Sequence, residues 1–361
     1  MSRSVCVIIP SVGNSDELGI VLDGLQSQDY FGPLEVVVVG PSSDPGRKEA
    51  ESRGIRFIDD QGSRTRADAC NVALAATDSE LVMFTDDDVI VPEEWVSRLS
   101  RWFERPEVAG VGGPNFGPPE HSTLQQQVID VSFCSRIFTA GTNYGKRGES
   151  ELQEVEQLPG VNSSYRRSVL KEIGGFPEGS IGAEDVLLDY LIRSAGHRLW
   201  TDRSAVMWHR RRNLSRVRKQ ISNYGLVRTL ASNQHPELRA WSHVMVALFP
   251  PIVIAAFAAF YWGSQNGGLE SPWWDFSLST MELGLERLSV LALPWLIALY
   301  NVIAWYGSAT GNSPNRNIAT VFLSPIVTFA LHWGYGIGVL RGRWRIFTGN
   351  PGMQIDDRSR E

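Results

Sequence analysis

Three consecutive aspartates follow an apolar run in the amino-terminal half of the chain. The run "ELVMF" (80–84) leads through one threonine to Asp86, Asp87 and Asp88. Adjacent like charges repel each other, so such a cluster calls for a positive partner. Carboxylate oxygens are hard ligands that suit Mg²⁺ or Mn²⁺. The D-x-D pair formed by Asp86 and Asp88 is therefore a candidate site for a divalent cation that neutralises a diphosphate.

Other interpretations of the aspartates are available. One carboxylate, such as that of Asp88, can cap a helix predicted near Pro92, which accounts for one aspartate and not for three. A nucleotide-triphosphatase metal site requires a G-x-x-x-x-G-K-[ST] loop, which the sequence lacks. A calcium-binding loop requires a glycine where Val91 stands. D-x-D alone is a common pattern, so its meaning depends on the rest of the chain.

A second acidic pair lies about a hundred residues further on. Glu184 and Asp185 precede a segment whose apolar residues recur at helical spacing. Acids at the start of a helix also interact favourably with its dipole, so a structural role is open too. Nearby, "AVMWHRRR" (205–212) ends an apolar run with His209, and a lone histidine is more often structural than a ligand.

Strand and helix patterns alternate up to about residue 235. Short apolar runs predict strands at 5–10, 34–40, 55–59 and 80–84, and helices are predicted at 15–27, 46–53 and 65–77. Continuous apolar strands are typical of a parallel sheet covered by helices on both faces, so we expect a doubly wound α/β domain. Ligands of such sheets bind outside the carboxyl ends of the strands, where the aspartates stand.

The last third of the chain predicts a membrane region at 241–345, followed by a polar tail at 346–361. It contains long uncharged segments, and a helix needs about 20 apolar residues to cross a bilayer. The segments are 244–262, 288–308 and 318–340. A buried helical core is the alternative.

Membrane topology is ambiguous in the sequence. The loop at 263–286 lacks Lys and Arg, which predicts that it lies outside, whereas 203–228 holds eight basic and no acidic residues, which predicts that it lies inside. Three crossings would place the chain after the last segment outside, yet that part of the chain begins with the basic run "RGRWR" (341–345). The segment "LHWGYGIGVLRG" is therefore predicted to be re-entrant or to lie in the interface.

A basic amphipathic helix with its linker is predicted at 213–240. Its apolar stripe consists of Leu214, Val217, Ile221 and Tyr224, and Arg216, Lys219 and Asn223 lie elsewhere on the helix. Either the helix packs on the domain with a solvated outer face, or it lies at an anionic membrane surface. We favour the second alternative, since it would bring the domain to a phosphorylated lipid acceptor.

Composition narrows the class of protein. The 361 residues carry a formal net charge of −6, which gives no general reason to bind nucleic acid. The three cysteines, Cys6, Cys70 and Cys134, fit neither a zinc pattern nor a disulfide framework, which favours a reducing compartment. The first residues lack the features of a signal peptide, so a cytoplasmic amino-terminal domain is expected.

Several ordered motifs resemble the family-2 glycosyltransferases, which share the nucleotide-sugar-binding GT-A fold. The opening "VCVIIPSVGNSDELGIVLDGLQSQDY" resembles the first strand and helix of that family, and "GSRTRADACNVALAATDSELVMFTDDDV" resembles its path into the D-x-D strand. The stretch from "VNSSYRRS" to "AVMWH" resembles its acceptor half, with an E-D pair and a late histidine. The resemblance covers about residues 4–210, and it places a catalytic domain at 1–212.

The resemblance implies a role for each matching residue. Asp185 would be the catalytic base and Glu184 its acidic neighbour. Divalent Mn²⁺ or Mg²⁺ would be held by Asp86, Asp88 and His209. Donor contacts would come from six residues that follow the family pattern: Pro10, Ser11, Asp60, Arg66, Asp86 and Asp87.

The resemblance also implies an activity. The chain would be a membrane-anchored, metal-dependent, inverting enzyme that moves a sugar from a nucleotide-diphosphate donor to a lipid-linked or cell-surface glycan, with membrane lipids as partners. Alternatives are a polyprenyl-phosphate glycosyltransferase that charges the lipid carrier, and a non-catalytic sugar-nucleotide-binding assembly subunit. The acids at 86, 88, 184 and 185 argue against the non-catalytic subunit, because a protein that only binds the sugar nucleotide needs no base.

Two departures from the family limit these expectations. Gly40 and Pro41 stand where many members place an aspartate that meets the nucleotide, and Asp44 comes later, so UDP and GDP are both open. The glutamine-x-x-arginine-tryptophan motif of processive synthases is missing, which favours a single addition.

Overall fold

The computed structural model of the protein describes residues 2–13, 15–137, 152–180, 182–239, 241–269 and 284–350. Most of the amino-terminal strands belong to one eight-stranded sheet, whose order is β3-β2-β1-β4-β9-β6-β10-β8. Its strands are β1 (Val5–Pro10), β2 (Leu34–Gly40), β3 (Arg56–Asp59), β4 (Leu81–Phe84), β6 (Val108–Gly112), β8 (Leu152–Val155), β9 (Ser163–Arg166) and β10 (Arg198–Asp202). A second sheet, in the order β5-β11-β7, contains β5 (Val89–Ile90), β7 (Asn115–Phe116) and β11 (Met207–His209).

The predicted doubly wound α/β architecture is confirmed. The first four strands of the large sheet are parallel and match the four predicted apolar runs within one residue. Beyond them, β9 runs antiparallel to both β4 and β6, and β8 runs antiparallel to β10. The sheet is therefore mixed.

Helices cover both faces of the large sheet. The helices of the amino-terminal part are α1 (Ser15–Gln26), α2 (Gly46–Ser52), α3 (Arg66–Ala75), α4 (Trp95–Ser100), α5 (Leu124–Phe133), α6 (Arg167–Glu172) and α7 (Glu184–Ser194), of which α5 packs on the carboxyl-terminal helices instead. Successive β1 residues alternate between the two cores, because side chains of a strand point to opposite faces. Val7 packs in the core that contains Leu22 of α1, and Ile8 packs in the core that contains Cys70 of α3.

The carboxyl-terminal part is helical. It consists of α8 (Leu214–Gln234), α9 (Trp241–Ala247), α10 (Phe249–Gln265), α11 (Leu285–Ala309) and α12 (Ile318–Phe347). Among the described residues, α11 and α12 are long and apolar enough to cross a membrane, on length and composition alone. The predicted segment 244–262 is divided between α9 and α10, where Pro250 and Pro251 stand in the first turn of α10.

Helix α8 packs against α12 along its length. Glycines of α12 allow the contact: an added Cβ at Gly334 would lie 3.1 Å from the Arg218 carbonyl oxygen, and one at Gly338 would overlap the Ser222 carbonyl oxygen. Residue numbers rise together in these contacts, so the two helices are parallel. Helix α12 is continuous from Ile318 to Phe347. The prediction of a re-entrant turn in "LHWGYGIGVLRG" is therefore wrong.

The apolar stripe predicted on α8 is covered by protein. Val217 packs with Val128 of α5 and with Val327 and Leu331 of α12, and Tyr224 packs beside α7. The stripe is therefore buried by α12 and α5, and the position of the helix beside an anionic membrane surface stays a prediction. The exposed side of α8 carries Arg216, Arg218 and Lys219.

Candidate active site

The acidic loop lies at the carboxyl end of β4, as the sequence predicts. Thr85 is fully buried and its hydroxyl donates to the Val161 carbonyl at 2.9 Å, which ties the loop to the neighbouring segment. The Ser11 hydroxyl, at the end of β1, donates to Asp87 Oδ2 at 2.7 Å. The contacts of Thr85 with Val161 and of Asp87 with Ser11 thus fix the backbone of the loop that carries Asp86 and Asp88.

The second sheet brings the late histidine to the loop. Strands β5 and β11 are antiparallel, with His209 opposite Val89, so His209 lies beside Asp88. The His209 Nε2 atom lies 3.1 Å from Asp88 Oδ1. One ligand atom from each of Asp86, Asp88 and His209 lies within 4.8 Å of the others, and all three residues are half-buried.

This group fits a divalent metal ion. Asp88 Oδ1 and His209 Nε2 are buried, and neither has a well-oriented hydrogen bond among the described residues, although the two atoms face each other. Burial opposes the charge of Asp88, but His209 and Arg212 outweigh it and hold the pKa of Asp88 below its usual value. Two carboxylates and one imidazole are ligands that Mn²⁺ and Mg²⁺ accept.

Arg66, the first residue of α3, joins the two acidic pairs. Its Nη2 lies 3.0 Å from Asp86 Oδ1, and its Nη1 lies 3.6 Å from Glu184 Oε1. Its Nη2 also donates to the Gly160 carbonyl at 3.0 Å. The D-x-D loop and the acids at the start of α7 therefore border one site, although they are about a hundred residues apart in the sequence.

Glu184 and Asp185 open α7 at a special backbone position. The preceding residue, Ala183, has φ of 55°, in the left-handed region that non-glycine residues seldom adopt. Asp185 Oδ2 accepts from the Gly160 amide at 3.2 Å, and its Oδ1 accepts from the Val186 amide at 2.9 Å. Burial raises the pKa of Glu184 to about 7 and raises that of Asp185 as well, so the pair holds a proton more readily than exposed acids do.

The segment that carries Gly160 is fixed by residues that the sequence did not single out. The carboxylate of Asp189, on α7, accepts from the Leu158 amide at 2.6 Å and from the Tyr165 hydroxyl at 2.8 Å. Asp189 is fully buried, and burial raises its pKa well above the usual value. The sequence did contain a signal for this role: Asp189 is an acidic residue on a helix face that is otherwise apolar.

The remaining predicted donor residues lie at the ends of the first three strands. Pro10 ends β1, and Asp60 follows β3, where its backbone amide donates to the Gly40 carbonyl at 2.9 Å. Asp60 Oδ1 accepts from the Gly62 amide at 3.0 Å, within its own loop. Asp44 accepts from the amides of Gly13 and Gly46, at 2.6 and 2.7 Å. These acids shape the loops at this edge of the sheet, and their contacts with a donor stay predictions.

A buried polar network lies directly behind His209. Arg211 donates to Asp130 Oδ1 at 2.8 Å and to Asn115 Oδ1 at 2.9 Å. Ser313 and Asn315, in the loop between α11 and α12, both contact Asp130 Oδ2, at 2.6 and 3.0 Å. The basic run "HRRR" (209–212) was recognisable in the sequence. The partners of Arg211 are distant along the chain, however, and the sequence does not show which residues they are.

Comparison with known proteins shows similarity to glycosyltransferases. Residues 6–174 match the glycosyl transferase family 2 model, which includes the D-x-D loop and ends before α7. An O-antigen chain rhamnosyltransferase of Salmonella typhimurium is 24% identical over 212 residues, which are 57% of this chain and 66% of that protein. A pre-mycofactocin glycosyltransferase of Mycobacterium tuberculosis is 27% identical over 300 residues, which are 81% of this chain and 56% of that protein. The alignments thus leave a third or more of each of these relatives unmatched.

A solved structure shares the fold over nearly the whole chain. A mannosyltransferase from Pyrobaculum calidifontis, in complex with GDP-Man and Mn²⁺, superposes with a TM-score of 0.59 at 19% identity and covers 95% of this chain and 88% of that one. The fold is thus that of the GT-A glycosyltransferases. The family match over residues 6–174 and this shared fold together support a family-2 glycosyltransferase.

Proposed function

We propose that the protein is a metal-dependent, inverting glycosyltransferase that takes its sugar from a nucleotide-diphosphate donor. The observation that supports the proposal is the pair of contacts that Arg66 makes with Asp86 and Glu184, at 3.0 and 3.6 Å, which link the candidate metal ligands to the acidic pair. Sugar transfer needs both: a positive charge at the leaving diphosphate and a base at the incoming hydroxyl.

Asp86, Asp88 and His209 would hold the metal ion. When bound, a divalent ion neutralises the charge that develops on the leaving diphosphate. Arg66 lies beside Asp86 and would meet the same diphosphate from the side of α3. Ser11 holds Asp87 by a hydrogen bond, so its hydroxyl would orient the acidic loop as well as border the nucleotide.

Asp185 would accept the proton of the acceptor hydroxyl. Its Oδ2 is held by the Gly160 amide and its Oδ1 by the Val186 amide, so the carboxylate is oriented before an acceptor arrives. Glu184 would orient the acceptor. A base that faces the diphosphate across the sugar gives direct displacement, and hence inversion at the anomeric carbon.

The acceptor would be a lipid-linked or cell-surface glycan at the cytoplasmic face of a membrane. Relatives in cell-envelope synthesis support this class: the Salmonella protein is named for O-antigen, and a Rhizobium meliloti protein, 23% identical over 274 residues, is named for succinoglycan biosynthesis. Residues 1–212 would be the catalytic domain, with 213–240 connecting it to a membrane region at 241–345.

In this arrangement α10 and α11 would cross the membrane as a hairpin. An added Cβ at Gly263 of α10 would lie 3.0 Å from Val290 of α11, so the two helices pack closely at the end away from the domain. Both have exposed apolar side chains, such as Phe257 and Trp295, at 56% each. Helix α10 has 17 residues, and the preceding α9 extends it toward the length of a span.

Helix α12 would lie along the membrane surface together with α8. A crossing by α12 would carry the charged residues of α8 into hydrocarbon, at a cost of about 3 kcal/mol each. The side of α12 away from α8 exposes a continuous apolar stripe, which would enter the interface: Ile318, Phe322, Ile326, Phe329, Ile337, Leu340, Trp344 and Phe347. The tail would then lie on the same side as the catalytic domain, in agreement with the basic run 341–345 that precedes it.

A donor panel tests the proposal. The purified protein is given UDP-, GDP- and dTDP-sugars with Mn²⁺ or Mg²⁺, and transfer to a membrane lipid extract is measured. We expect transfer from one donor class, and a loss of about 10²–10⁴-fold in turnover for Asp185→Asn with nucleotide affinity retained. Near-normal turnover by Asp185→Asn would contradict the assignment of the base. Asp16→Asn, an acid in the first turn of α1, is the matched control.

A further inference from the structure

A buried arginine lies outside the site described above. Arg228, near the end of α8, is only 7% exposed. Its Nη2 donates a long hydrogen bond of 3.3 Å to the Leu238 carbonyl, and its buried Nε has no hydrogen-bond partner among the described residues. It forms no ion pair with a described carboxylate. A buried guanidinium without a counter-ion is costly, so an anion is expected beside it.

Two more arginines converge on the same place. Arg193 of α7 and Arg239, just after α8, line a cavity of about 90 Å³ together with Arg228. The buried Nε of Arg193 also lacks a hydrogen-bond partner among the described residues. Glu156 and Glu237 line the cavity too, but both are exposed, and neither is ion-paired with any of the three arginines.

We propose that this cavity, defined by Arg193, Arg228 and Arg239, binds a phosphate group. Guanidinium groups match phosphate oxygens in geometry and charge, and they keep their charge when buried. Tyr190, which also lines the cavity, donates its hydroxyl to Glu237 Oε2 at 3.4 Å, so the charge for an anion comes from the three arginines. The identity of the ligand as part of the acceptor rests on the proposed function, whereas the binding of phosphate does not.

The position of the cavity indicates which phosphate it receives. Tyr190 and Arg193 lie on the helix that begins with Glu184 and Asp185, and Arg193 is about 12 Å from Asp185 along its axis at 1.5 Å per residue. Helix α8, which supplies Arg228, packs on α12, whose outer stripe is apolar. A phosphate held here would lie between the base and the hydrophobic helices, as in an acceptor whose sugar is attached to a lipid through phosphate.

Binding of two phosphate probes to the full-length protein tests the proposal. Inorganic phosphate and decyl phosphate are titrated by calorimetry without donor and with a chelator, so that the metal-ligand group cannot retain phosphate through an ion. We expect both probes to bind the wild-type protein and neither to bind Arg228→Met. Tighter binding of decyl phosphate would identify a lipid phosphate, and equal binding a soluble phosphate ester. Absence of binding to the wild-type protein, or unchanged binding by the variant, would overturn the proposal.

A stability measurement separates this role from a structural one. Methionine fills a similar volume without a charge, so in phosphate-free buffer Arg228→Met should unfold at the same temperature as the wild type or higher. A lower melting temperature that phosphate fails to change in either protein would indicate a structural arginine instead. Arg216→Met, an exposed position on the same helix, is the control. Because no donor is present, failure of sugar transfer would leave these results unaffected.

Discussion

The Ser313 hydroxyl donates to Asp130 Oδ2 at 2.6 Å, across 183 residues of sequence. Asp130 belongs to α5, and Ser313 to the loop that joins the two longest apolar helices. The same carboxylate holds Arg211, two residues after His209. The loop between the apolar helices and the metal-ligand group are thus attached to one fully buried acid.

Asp130→Asn is expected to destabilise the protein and to weaken metal binding together. The substitution removes the negative charge from a buried ion pair, which typically costs about 3–5 kcal/mol, and it releases the strand that carries His209. Thermal unfolding in detergent and Mn²⁺ titration measure the two effects. Asp202→Asn is the control, since Asp202 is also buried and ion-paired, to Arg101 at 3.0 Å, but lies away from the site. Equal losses of metal affinity in both variants would contradict the coupling.

Asp88→Ala is expected to abolish metal-dependent donor binding. Asp88 offers one of the three ligand atoms of the group, and the remaining two cannot enclose an ion in the same way. Calorimetry of nucleoside diphosphate binding with and without Mn²⁺ measures the loss. Asp78→Ala, at an acid whose side chain is 91% exposed, should bind as the wild type does. An unchanged metal dependence in Asp88→Ala would show that the ion is held elsewhere.

The pH profile of transfer is expected to reflect the buried acidic pair. Burial raises the pKa of Asp185 above 3.8, and a base works only when deprotonated, so activity is present above the raised pKa and lost as pH falls through it. Glu184→Gln removes a negative charge next to Asp185, and that charge opposes the ionisation of Asp185. The acid limb of kcat/KM should therefore move to lower pH in this variant.

The profile of Glu172→Gln, an exposed glutamate beside His197, should match the wild type. An acid limb that stays in place in Glu184→Gln would show that the two carboxyls titrate independently.

Single introduced cysteines test the proposed membrane topology. The three native cysteines are buried, so they should contribute little labelling. With a membrane-impermeant maleimide, Leu269→Cys should react in intact cells, whereas Asn350→Cys should react only after permeabilisation. Ser27→Cys, on the catalytic domain, is the reference for the inner side. Labelling of Asn350→Cys from outside would mean that α12 crosses the membrane after all.

Local patterns in the sequence predicted the amino-terminal half of the fold well. The runs that form β1 and β4 are apolar without interruption, because both faces of those strands are buried, whereas β2 and β3 contain the charged residues Glu35 and Arg56. Each of the four runs is ended or followed by Gly, Pro, Asp or Thr. The acids at 86, 88, 184 and 185 and the histidine at 209 were recognisable for the same reason: each follows or precedes such a run. The roles of Pro10, Asp60 and Asp87 toward a donor stay predictions.

Long-range pairing was not predictable from one sequence. Nothing in "SSYR" (163–166) shows that it inserts antiparallel between two parallel strands, and nothing in "GNSPN" (311–315) shows that it reaches Asp130. The stripe on α8 was correctly assigned as apolar, but an amphipathic pattern does not specify whether protein or lipid covers it. Here α12 covers the stripe. The glycines of α12 that allow this contact could be recognised only once the two helices were seen packed together.

The close packing of α8 on α12 affects how the protein folds during synthesis and how it is degraded. A polypeptide that ends after α8 would expose Val217 and the other apolar residues that α12 covers. That exposed apolar surface would promote aggregation. Synthesis must therefore run to the last helix before the glycosyltransferase domain has its full complement of contacts. Loss of α12 is therefore expected to cause misfolding and degradation of the enzyme, in addition to any effect on the membrane attachment that we propose.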